Sequence, residues 1–288
     1  MNYKIGFIGA GKVGFSLGKY FSEGGLEICG YYSKNPSSAI EASKFTTSVN
    51  FLDQKDLVTN CNLLFITTPD DNIKEIWLTL QKLNLKDKII CHTSGSFSSN
   101  IFSDINISGA FGYSIHPMFP FSDKLNSYKT LNKAYFSIEG DPYYFQELKT
   151  FIENLGNKVI PLKANQKALY HLANVTVSNL VLSLLDIGTG YLEKCGVSKE
   201  QALKALFPLI ETNIANIKTN VFKAALTGPI ERGDLETIKE HLKVLPTTDF
   251  SLYKKLSLNL VKLAEQKNKN RNYDSIKRKL HEEDNNEK

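Results

Sequence analysis

The sequence predicts an α/β protein with two domains, a parallel-sheet domain followed by an all-α domain. Two observations predict this order. Short β-branched and aromatic runs alternate with helix-like stretches before residue 162, whereas helical periods alone follow it. The domains are therefore predicted at 1–161 and 162–288. The strands of the first domain are predicted at 4–8, 27–32, 62–67, 88–92, 109–115, 134–138 and 158–161.

Long helical periods dominate the second predicted domain. One unusually long helix is predicted over 164–195, and another over 198–219, where Pro208 is expected to kink it. Two shorter helices are predicted over 234–245 and 249–266, each with an aspartate at its start as the N-cap.

Composition and hydropathy indicate a folded, water-soluble chain. Of its 288 residues, 42% are hydrophobic and 23% are charged, which is typical of globular proteins. No apolar run approaches the roughly 20 residues that span a bilayer, and the chain enters its first strand without a separate signal region. We therefore expect a cytoplasmic protein with no membrane partner.

The cysteines and charges favour neither a metal site nor a nucleic-acid surface. The net charge of +5 is spread along the chain, and only three residues are arginine. A basic run at 267–279 and an acidic run at 282–287 are interpreted as a solvated helix end, with a nucleic-acid surface as the alternative. The cysteines form no C-x-x-C pair, so buried reduced thiols are expected. They are Cys29, Cys61, Cys91 and Cys195.

A glycine-rich loop follows the first predicted strand and leads directly into a helix-like run. Its glycines permit a tight turn and a close approach of the backbone to a pyrophosphate, which then lies at a helix N-terminus. The position of this G-x-G-x-x-G loop predicts a Rossmann dinucleotide-binding domain. The predicted cofactor-binding residues of the loop are Gly9, Ala10, Gly11, Lys12, Val13 and Gly14.

The end of the second predicted strand indicates which dinucleotide is bound. An acidic residue there would bind the ribose 2′-hydroxyl and repel a 2′-phosphate. Ser33 and Lys34 stand there instead, so NADPH is the expected cofactor, with an incidental polar turn as the alternative. Thr67, Thr68 and Pro69 close the next predicted strand and are expected beside the cofactor riboses, although they also suit a capping turn.

Three polar clusters are candidates for the reaction centre. The first lies at two predicted strand ends, where Ser94 follows one strand and His116 precedes Pro117 in the other. A histidine at such a strand end can donate a proton to a carbonyl oxygen as hydride arrives. The alternative is that His116 packs, or hydrogen-bonds to backbone, in a proline turn.

The second cluster is a polar stripe on the long predicted helix. Lys167, His171, Asn174 and Ser178 share one helix face, with Asn179 on its flank. The opposite face is apolar, so the helix is expected to be buried and the stripe to contact partners or a ligand. The alternative is that the stripe faces solvent.

The third cluster precedes the helix predicted at 234–245. Arg232 is the only arginine before the basic run at 267–279, which suggests a role for its guanidinium fork, such as binding a carboxylate. Thr227 and nearby backbone amides would help to hold the same anion. The alternative is an ion pair of Arg232 with Glu231 or Asp234 that shapes the loop.

These segments together resemble a family of 6-phosphogluconate-dehydrogenase-like Rossmann proteins with a C-terminal domain long labelled as of unknown function. They span residues 5 to about 242. Two positions depart from the pattern, because relatives often carry arginine at Lys34 and a small residue at Asn174. The resemblance rests on the loop 9–14, Ser33-Lys34, Thr68-Pro69-Asp70-Asp71, His92-Thr93-Ser94-Gly95, Ser114-Ile115-His116-Pro117, His171 with Ser178-Asn179, and Leu226-Thr227-Gly228-Pro229 with Arg232-Gly233-Asp234.

Within that family the chain is similar to the alternative ketopantoate reductases. The resemblance implies reduction of 2-dehydropantoate to pantoate with NADPH, in pantothenate and coenzyme A biosynthesis. A 2-keto acid needs a cationic clamp for its carboxylate and a proton donor for its ketone. The expected catalytic residues are His116, His171, Ser94 and Asn179. The expected substrate-binding residues are Arg232, Thr227, Ser178 and Lys167.

Other functions remain open at the level of the sequence. An imine reductase resembling pyrroline-5-carboxylate reductase would share the cofactor domain and the helical domain, and the His116-Pro117 run also suggests a prephenate-dehydrogenase-like activity. A catalytically silent NADP-binding sensor would bind the cofactor without turnover. Because helical second domains of such reductases often dimerise through long apolar helices, a homodimer is expected.

Overall fold

The chain divides into two compact units, Met1–Leu182 and Ser183–Lys288, in a computed structural model that describes residues 3–282. The first unit carries the sheet and the second is helical. The domain boundary predicted near residue 162 stays a prediction, although the last strand does end there. Residues 1–2 of the first predicted domain, and the acidic run beyond Glu282, lie outside the described residues.

An eight-stranded sheet forms the first unit, in the order β3-β2-β1-β4-β5-β6-β7-β8. Neighbouring strands are parallel except β6 and β7, which pair antiparallel. All seven predicted strands are present, and the strand that was missed, β3, has two residues, too few for a pattern. The strands are β1 (Lys4–Ile8), β2 (Glu27–Tyr32), β3 (Val49–Asn50), β4 (Leu63–Ile66), β5 (Ile89–His92), β6 (Phe111–Pro117), β7 (Tyr135–Gly140) and β8 (Lys158–Pro161).

Helices cover the sheet and make up the second unit. Those that begin in the first unit are α1 (Lys12–Glu23), α2 (Pro36–Thr46), α3 (Gln54–Asn60), α4 (Asp70–Leu80), α5 (Phe145–Asn154), α6 (Lys167–Val177) and α7 (Asn179–Lys194). The others are α8 (Lys199–Ala225), α9 (Pro229–Arg232), α10 (Leu235–Val244), α11 (Phe250–Lys267) and α12 (Asp274–His281). As predicted, Asp234 caps α10, where its carboxylate accepts from the Thr237 N–H at 3.1 Å.

Two apolar clusters lie on the two faces of the sheet. Phe7 of β1 packs with Phe65 of β4 in one cluster, while the adjacent Ile8 and Ile66 belong to the other. The alternation follows from the two-residue repeat of a strand, and burial on both faces explains the continuous apolar runs in the sequence. The sheet is therefore a firm support for the polar residues at its strand ends.

The long helix predicted over 164–195 is divided at Ser178. The Ser178 hydroxyl donates to the Asn174 carbonyl at 2.7 Å, and the dihedral angles of Ser178, φ −117° and ψ −76°, end α6 before α7 begins. Such local bonds compete with the helix ladder. In α8 the residue with non-helical dihedral angles is Val221 rather than the expected Pro208.

The apolar face of α6 and α7 is exposed, against the expectation that this helix is buried. Leu169 and Val177 are 72% and 73% exposed. By length and composition alone, the helical segment 164–194 is long and apolar enough to cross a membrane, with a mean hydropathy of 1.4. No membrane-spanning segment was expected from the sequence. Lys167 at its start is nevertheless buried in the first unit, where its ammonium donates to the Ser94 carbonyl.

The cysteines differ in exposure, although all four are free. Cys61 and Cys91 are buried as expected. Cys29 is half-buried and Cys195 is exposed, because Cys195 follows the end of α7 in the connection to α8. The expectation of burial is therefore wrong for Cys195.

Candidate cofactor cleft and active site

A cleft of about 550 Å³ opens at the carboxyl ends of β1, β2 and β4. It contains most of the residues predicted to bind the cofactor. Lys12, Val13 and Gly14 do not line it, because they begin α1. The predicted residues that line it are Gly9, Ala10, Gly11, Ser33, Lys34, Thr67, Thr68 and Pro69.

The three glycines of the loop differ in conformation and surroundings. Gly9 has a φ of +103°, a conformation that L side chains rarely adopt. At Gly14 a Cβ would come within 2.3 Å of the Gly9 carbonyl oxygen, so helix and loop pack too closely for any side chain. A Cβ on Gly11 would meet nothing within 4 Å, which leaves the middle of the loop open to a ligand.

Polar groups without partners line the same cleft. Gln54 Oε1 and Thr68 Oγ1 are buried and make no hydrogen bond to any of the residues that the structure describes. Buried polar atoms are costly when unsatisfied, so both suit a polar ligand. Gln54 was missed from the sequence because it begins the seven-residue helix α3, which carries no recognisable motif.

A second polar cluster is organised around the loop that follows β5. The Ser94 hydroxyl donates to Asp70 Oδ2 at 2.7 Å, and Ser96 donates to the same oxygen at 3.1 Å. His92 also holds this loop, because its Nδ1 accepts a hydrogen bond from the Ser94 N–H at 3.2 Å. Burial lowers the pKa of His92 to about 4, so this imidazole is neutral.

Lys167 of α6 also contacts this loop. Its side chain is buried, and Nζ donates to the Ser94 carbonyl at 3.1 Å. Burial lowers the pKa of Lys167 to about 8, although Glu139 and Asp70 oppose that shift. The Lys167 ammonium therefore has a stronger tendency to release its proton than an exposed lysine has.

His116 and His171 meet beside Gly95. Their ring centroids are 6.2 Å apart, and His171 Nδ1 is buried without a hydrogen-bond partner among the described residues. His116 Nδ1 lies 2.8 Å from the Tyr170 hydroxyl, so it contacts a side chain rather than a backbone group of a turn. Burial, with Lys167 nearby, lowers the pKa of His116 to about 3, and the ring is neutral.

The polar stripe is buried only in part. Lys167 is buried, and His171 and Asn174 are half-buried in the first unit, against the alternative that the stripe faces solvent. Ser178 and Asn179 are exposed, and Ser178 bonds locally to Asn174 and Asn179. Nothing in these contacts brings Ser178 or Asn179 to the histidines.

Arg232 and Thr227 belong to the second unit. Arg232 is 60% exposed and lies 3.7 Å from the Asp234 carboxylate, which is the ion pair foreseen as the alternative to ligand binding. Glu231 beside it is held firmly, because its carbonyl accepts from Tyr273 at 2.6 Å and from Arg271 at 2.7 Å. Hydrogen bonds therefore hold the loop at Glu231, whereas the Arg232 side chain is exposed.

Two parts of the chain match models of known domains. Residues 1–117 match the model of a Rossmann-like domain. Residues 134–260 match the model of a domain of unknown function, DUF2520. No match is found among curated proteins. The chain thus joins a Rossmann-like domain to a DUF2520 domain, as the motifs indicated.

Solved structures share the fold over nearly the whole chain. Protein TM1727 from Thermotoga maritima is 28% identical, with a TM-score of 0.72 over 91% of this chain and 98% of that one. BF3122 from Bacteroides fragilis, assigned as an NADP oxidoreductase, is 24% identical, with a TM-score of 0.70 and the same coverage. Pyrroline carboxylate reductase from Plasmodium falciparum, with NADP bound, is 14% identical, with a TM-score of 0.60 over 93% and 97%. The predicted fold class, a Rossmann-like sheet domain followed by a helical domain, is confirmed.

Two alanine substitutions separate the packing role of the glycine loop from its binding role. Gly14→Ala forces the loop and α1 apart and is expected to lower the free energy of unfolding by about 1–3 kcal/mol. Gly11→Ala meets no protein atom, so it should leave stability nearly unchanged but weaken NADPH binding. Denaturant unfolding and NADPH titration of both variants measure this. Equal stability losses in the two variants would contradict the assignment.

Neutral buried histidines predict a loss of stability in mild acid. The folded-state pKa of His92, about 4, lies below the ordinary value of 6.5. As the pH falls from 6.5 to 4, the unfolded chain binds a proton that the folded chain does not, at a cost on the order of 3 kcal/mol. Urea unfolding across this range should show a smaller acid loss for His92→Asn than for the exposed control His281→Asn. An identical loss in both would exclude His92 as a cause.

Proposed function

We propose that this chain is an NADPH-dependent oxidoreductase that reduces a small 2-keto acid. We further propose 2-dehydropantoate as the substrate and pantoate as the product, within pantothenate and coenzyme A biosynthesis. The bound cofactor would supply the hydride. Gly9 to Gly11 would hold its pyrophosphate, and Ser33 with Lys34 would hold its 2′-phosphate, because the end of β2 carries no acidic residue. The NADP-bound relative of the same fold supports this choice of cofactor.

The buried ammonium of Lys167 is the observation that carries the proposed chemistry. Reduction of a ketone creates an alkoxide oxygen, which needs a proton from a nearby acid. Lys167, with a pKa of about 8, is charged at neutral pH and yet can release its proton. We therefore assign the proton to Lys167, which the sequence suggested as a substrate-binding residue, in place of His116 or His171.

The Lys167 ammonium suits the carboxylate of a keto acid. The two nearest carboxylates are hydrogen-bonded to the loop after β5, since Asp70 accepts from Ser94 and Glu139 accepts from both the N–H and the hydroxyl of Ser99. Both keep their charge, so the support for a keto acid is the local attraction between the Lys167 ammonium and a substrate carboxylate.

Roles predicted for the remaining residues stay part of the proposal. Arg232 and Thr227 would bind the substrate carboxylate, with Ser178 as a further contact, and Asn179 would orient the reacting groups. The exposed apolar face of α6 and α7 supports a homodimer, since monomers rarely leave so much apolar surface in water. Cytoplasmic localisation is likewise proposed.

A second candidate is reduction of a cyclic imine. It is favoured by one observation, the shared fold of the pyrroline carboxylate reductase from Plasmodium falciparum along almost the whole chain. This candidate needs no acid beside a ketone oxygen, so it leaves the burial of Lys167 unexplained.

Substrate turnover tests the assignment directly. Purified protein should oxidise NADPH with 2-dehydropantoate at least about tenfold more efficiently, in kcat/KM, than with pyrroline-5-carboxylate, a difference of about 1.4 kcal/mol. NADH should be the poorer cofactor. Absorbance of the reduced cofactor measures each rate. Turnover of the imine alone would replace the keto-acid proposal by the second candidate, and absence of NADPH binding would end both.

The pH dependence tests the role of Lys167. An acid must be protonated to act, so kcat should be level below about pH 8 and fall above it as Lys167 loses its proton. Lys167→Met should lower kcat on the order of 10²-fold or more and abolish this fall. The exposed Lys163→Met is the matched control and should keep the wild-type profile. A wild-type profile in Lys167→Met would assign the proton to another residue.

A further inference from the structure

We infer that Tyr170 is a positioning residue that holds His116 in one neutral tautomer, with Nε2–H presented as a hydrogen-bond donor to the substrate carbonyl oxygen. The inference rests on the proposed function for its substrate. Its structural half, the tautomer of His116, does not depend on turnover. Tyr170 was not singled out from the sequence, because an aromatic residue on an amphipathic helix is most often part of a core.

The contact between Tyr170 and His116 is well formed. Tyr170 is on α6, three residues after Lys167, and its hydroxyl lies 2.8 Å from His116 Nδ1. The two rings are nearly perpendicular, at 86°, with centroids 5.6 Å apart. Lys167 Nζ lies 5.3 Å from the Tyr170 ring centroid. Tyr170 therefore lies next to both Lys167, which is on the same face of α6, and His116 of β6.

The surroundings of the phenol decide the direction of this hydrogen bond. Ser137, which pairs with His116 across β6 and β7, and Asn174 of α6 both lie toward the Tyr170 oxygen and lower its pKa. Ser137 Oγ and Asn174 Nδ2 nevertheless make no hydrogen bond to any of the described residues. His116 Nδ1 is the group within hydrogen-bond distance of the Tyr170 hydroxyl, so the phenol hydrogen is assigned to Nδ1.

The phenol also keeps its proton. Burial is the largest influence on the pKa of Tyr170 and raises it above the ordinary value. Around the imidazole, Lys167, His171 and His92 all oppose a positive charge on His116. A neutral ring whose Nδ1 accepts a hydrogen bond must carry its hydrogen on Nε2.

Gly95 packs against the Nε2 edge of His116 without a side chain. A Cβ at this position would lie 3.0 Å from His116 Nε2 and 2.5 Å from His171 Nδ1. A glycine is thus required where both rings approach the loop after β5. The Nε2–H donor of His116 and the unpartnered Nδ1 of His171 then face the same loop.

This arrangement divides two tasks between two side chains. Lys167 provides the proton, and His116 stabilises the developing negative charge on oxygen without giving up its own hydrogen. A preorganised neutral donor of this kind acts without changing its protonation state during the reaction.

Nitrogen NMR of histidine-labelled protein tests the tautomer directly, because protonated and unprotonated ring nitrogens have distinct ¹⁵N shifts. The chain offers a matched control pair, since His241 Nδ1 lies 2.9 Å from the Tyr253 hydroxyl in the second unit. In wild-type protein at neutral pH, His116 should show an unprotonated Nδ1 and a protonated Nε2, assigned by loss of those signals in His116→Gln. Tyr170→Phe should shift the His116 signals, and Tyr253→Phe should shift only those of His241.

Kinetics complete the test. Tyr170→Phe should lower kcat for the keto acid about tenfold, the effect of one lost hydrogen bond, with NADPH affinity unchanged. Tyr253→Phe should retain wild-type kcat. A protonated His116 Nδ1 in the wild-type spectrum would overturn the inference even if Tyr170→Phe fails to fold. Unchanged His116 signals and unchanged kcat in a folded Tyr170→Phe would do the same. A correct tautomer in a protein that does not turn over keto acids would contradict the proposed function alone.

Discussion

The hydrogen bond from the Lys167 ammonium to the Ser94 carbonyl is the contact on which the arrangement of the site depends. It joins the first helix after the sheet to the loop that follows β5. A buried ammonium without partners would be too costly to retain. This bond therefore fixes the start of α6, and the rest of the helix then places Tyr170 and His171 beside His116.

Carboxylates close to this ammonium hold the loop that follows β5. Asp70 receives hydroxyl bonds from Ser94 and Ser96, and Glu139 receives two bonds from Ser99. Both acids thus hold the backbone around Gly95, while their charge partly offsets the effect of burial on the pKa of Lys167. The cluster therefore brings one ammonium and two carboxylates together beside two histidine rings.

The parts of the molecule governed by local pattern could be predicted from the sequence. The strands followed from continuous apolar runs, and the loop 9–14 from glycine spacing between a strand and a helix. The interruption at Ser178 could not, because it depends on which hydrogen bond the hydroxyl makes. Tyr170 and Gln54 were missed because their importance arises from neighbours distant in the chain, such as Ser137 for Tyr170. Conversely, the helical period of the polar stripe indicated a buried face at Lys167 but gave no sign that Ser178 and Asn179 lie beyond it.

The helix α6 has opposite surroundings on its two sides. Its polar residues are held against the sheet, whereas Leu169 and Leu172 are 72% and 55% exposed. In the proposed homodimer, a partner that covers that outer side would bind the ordered helix in preference to a frayed one, and by mass action it would raise the population of chains in which Lys167 and Tyr170 are in place. Assembly and the proposed activity would then be thermodynamically linked through a single helix.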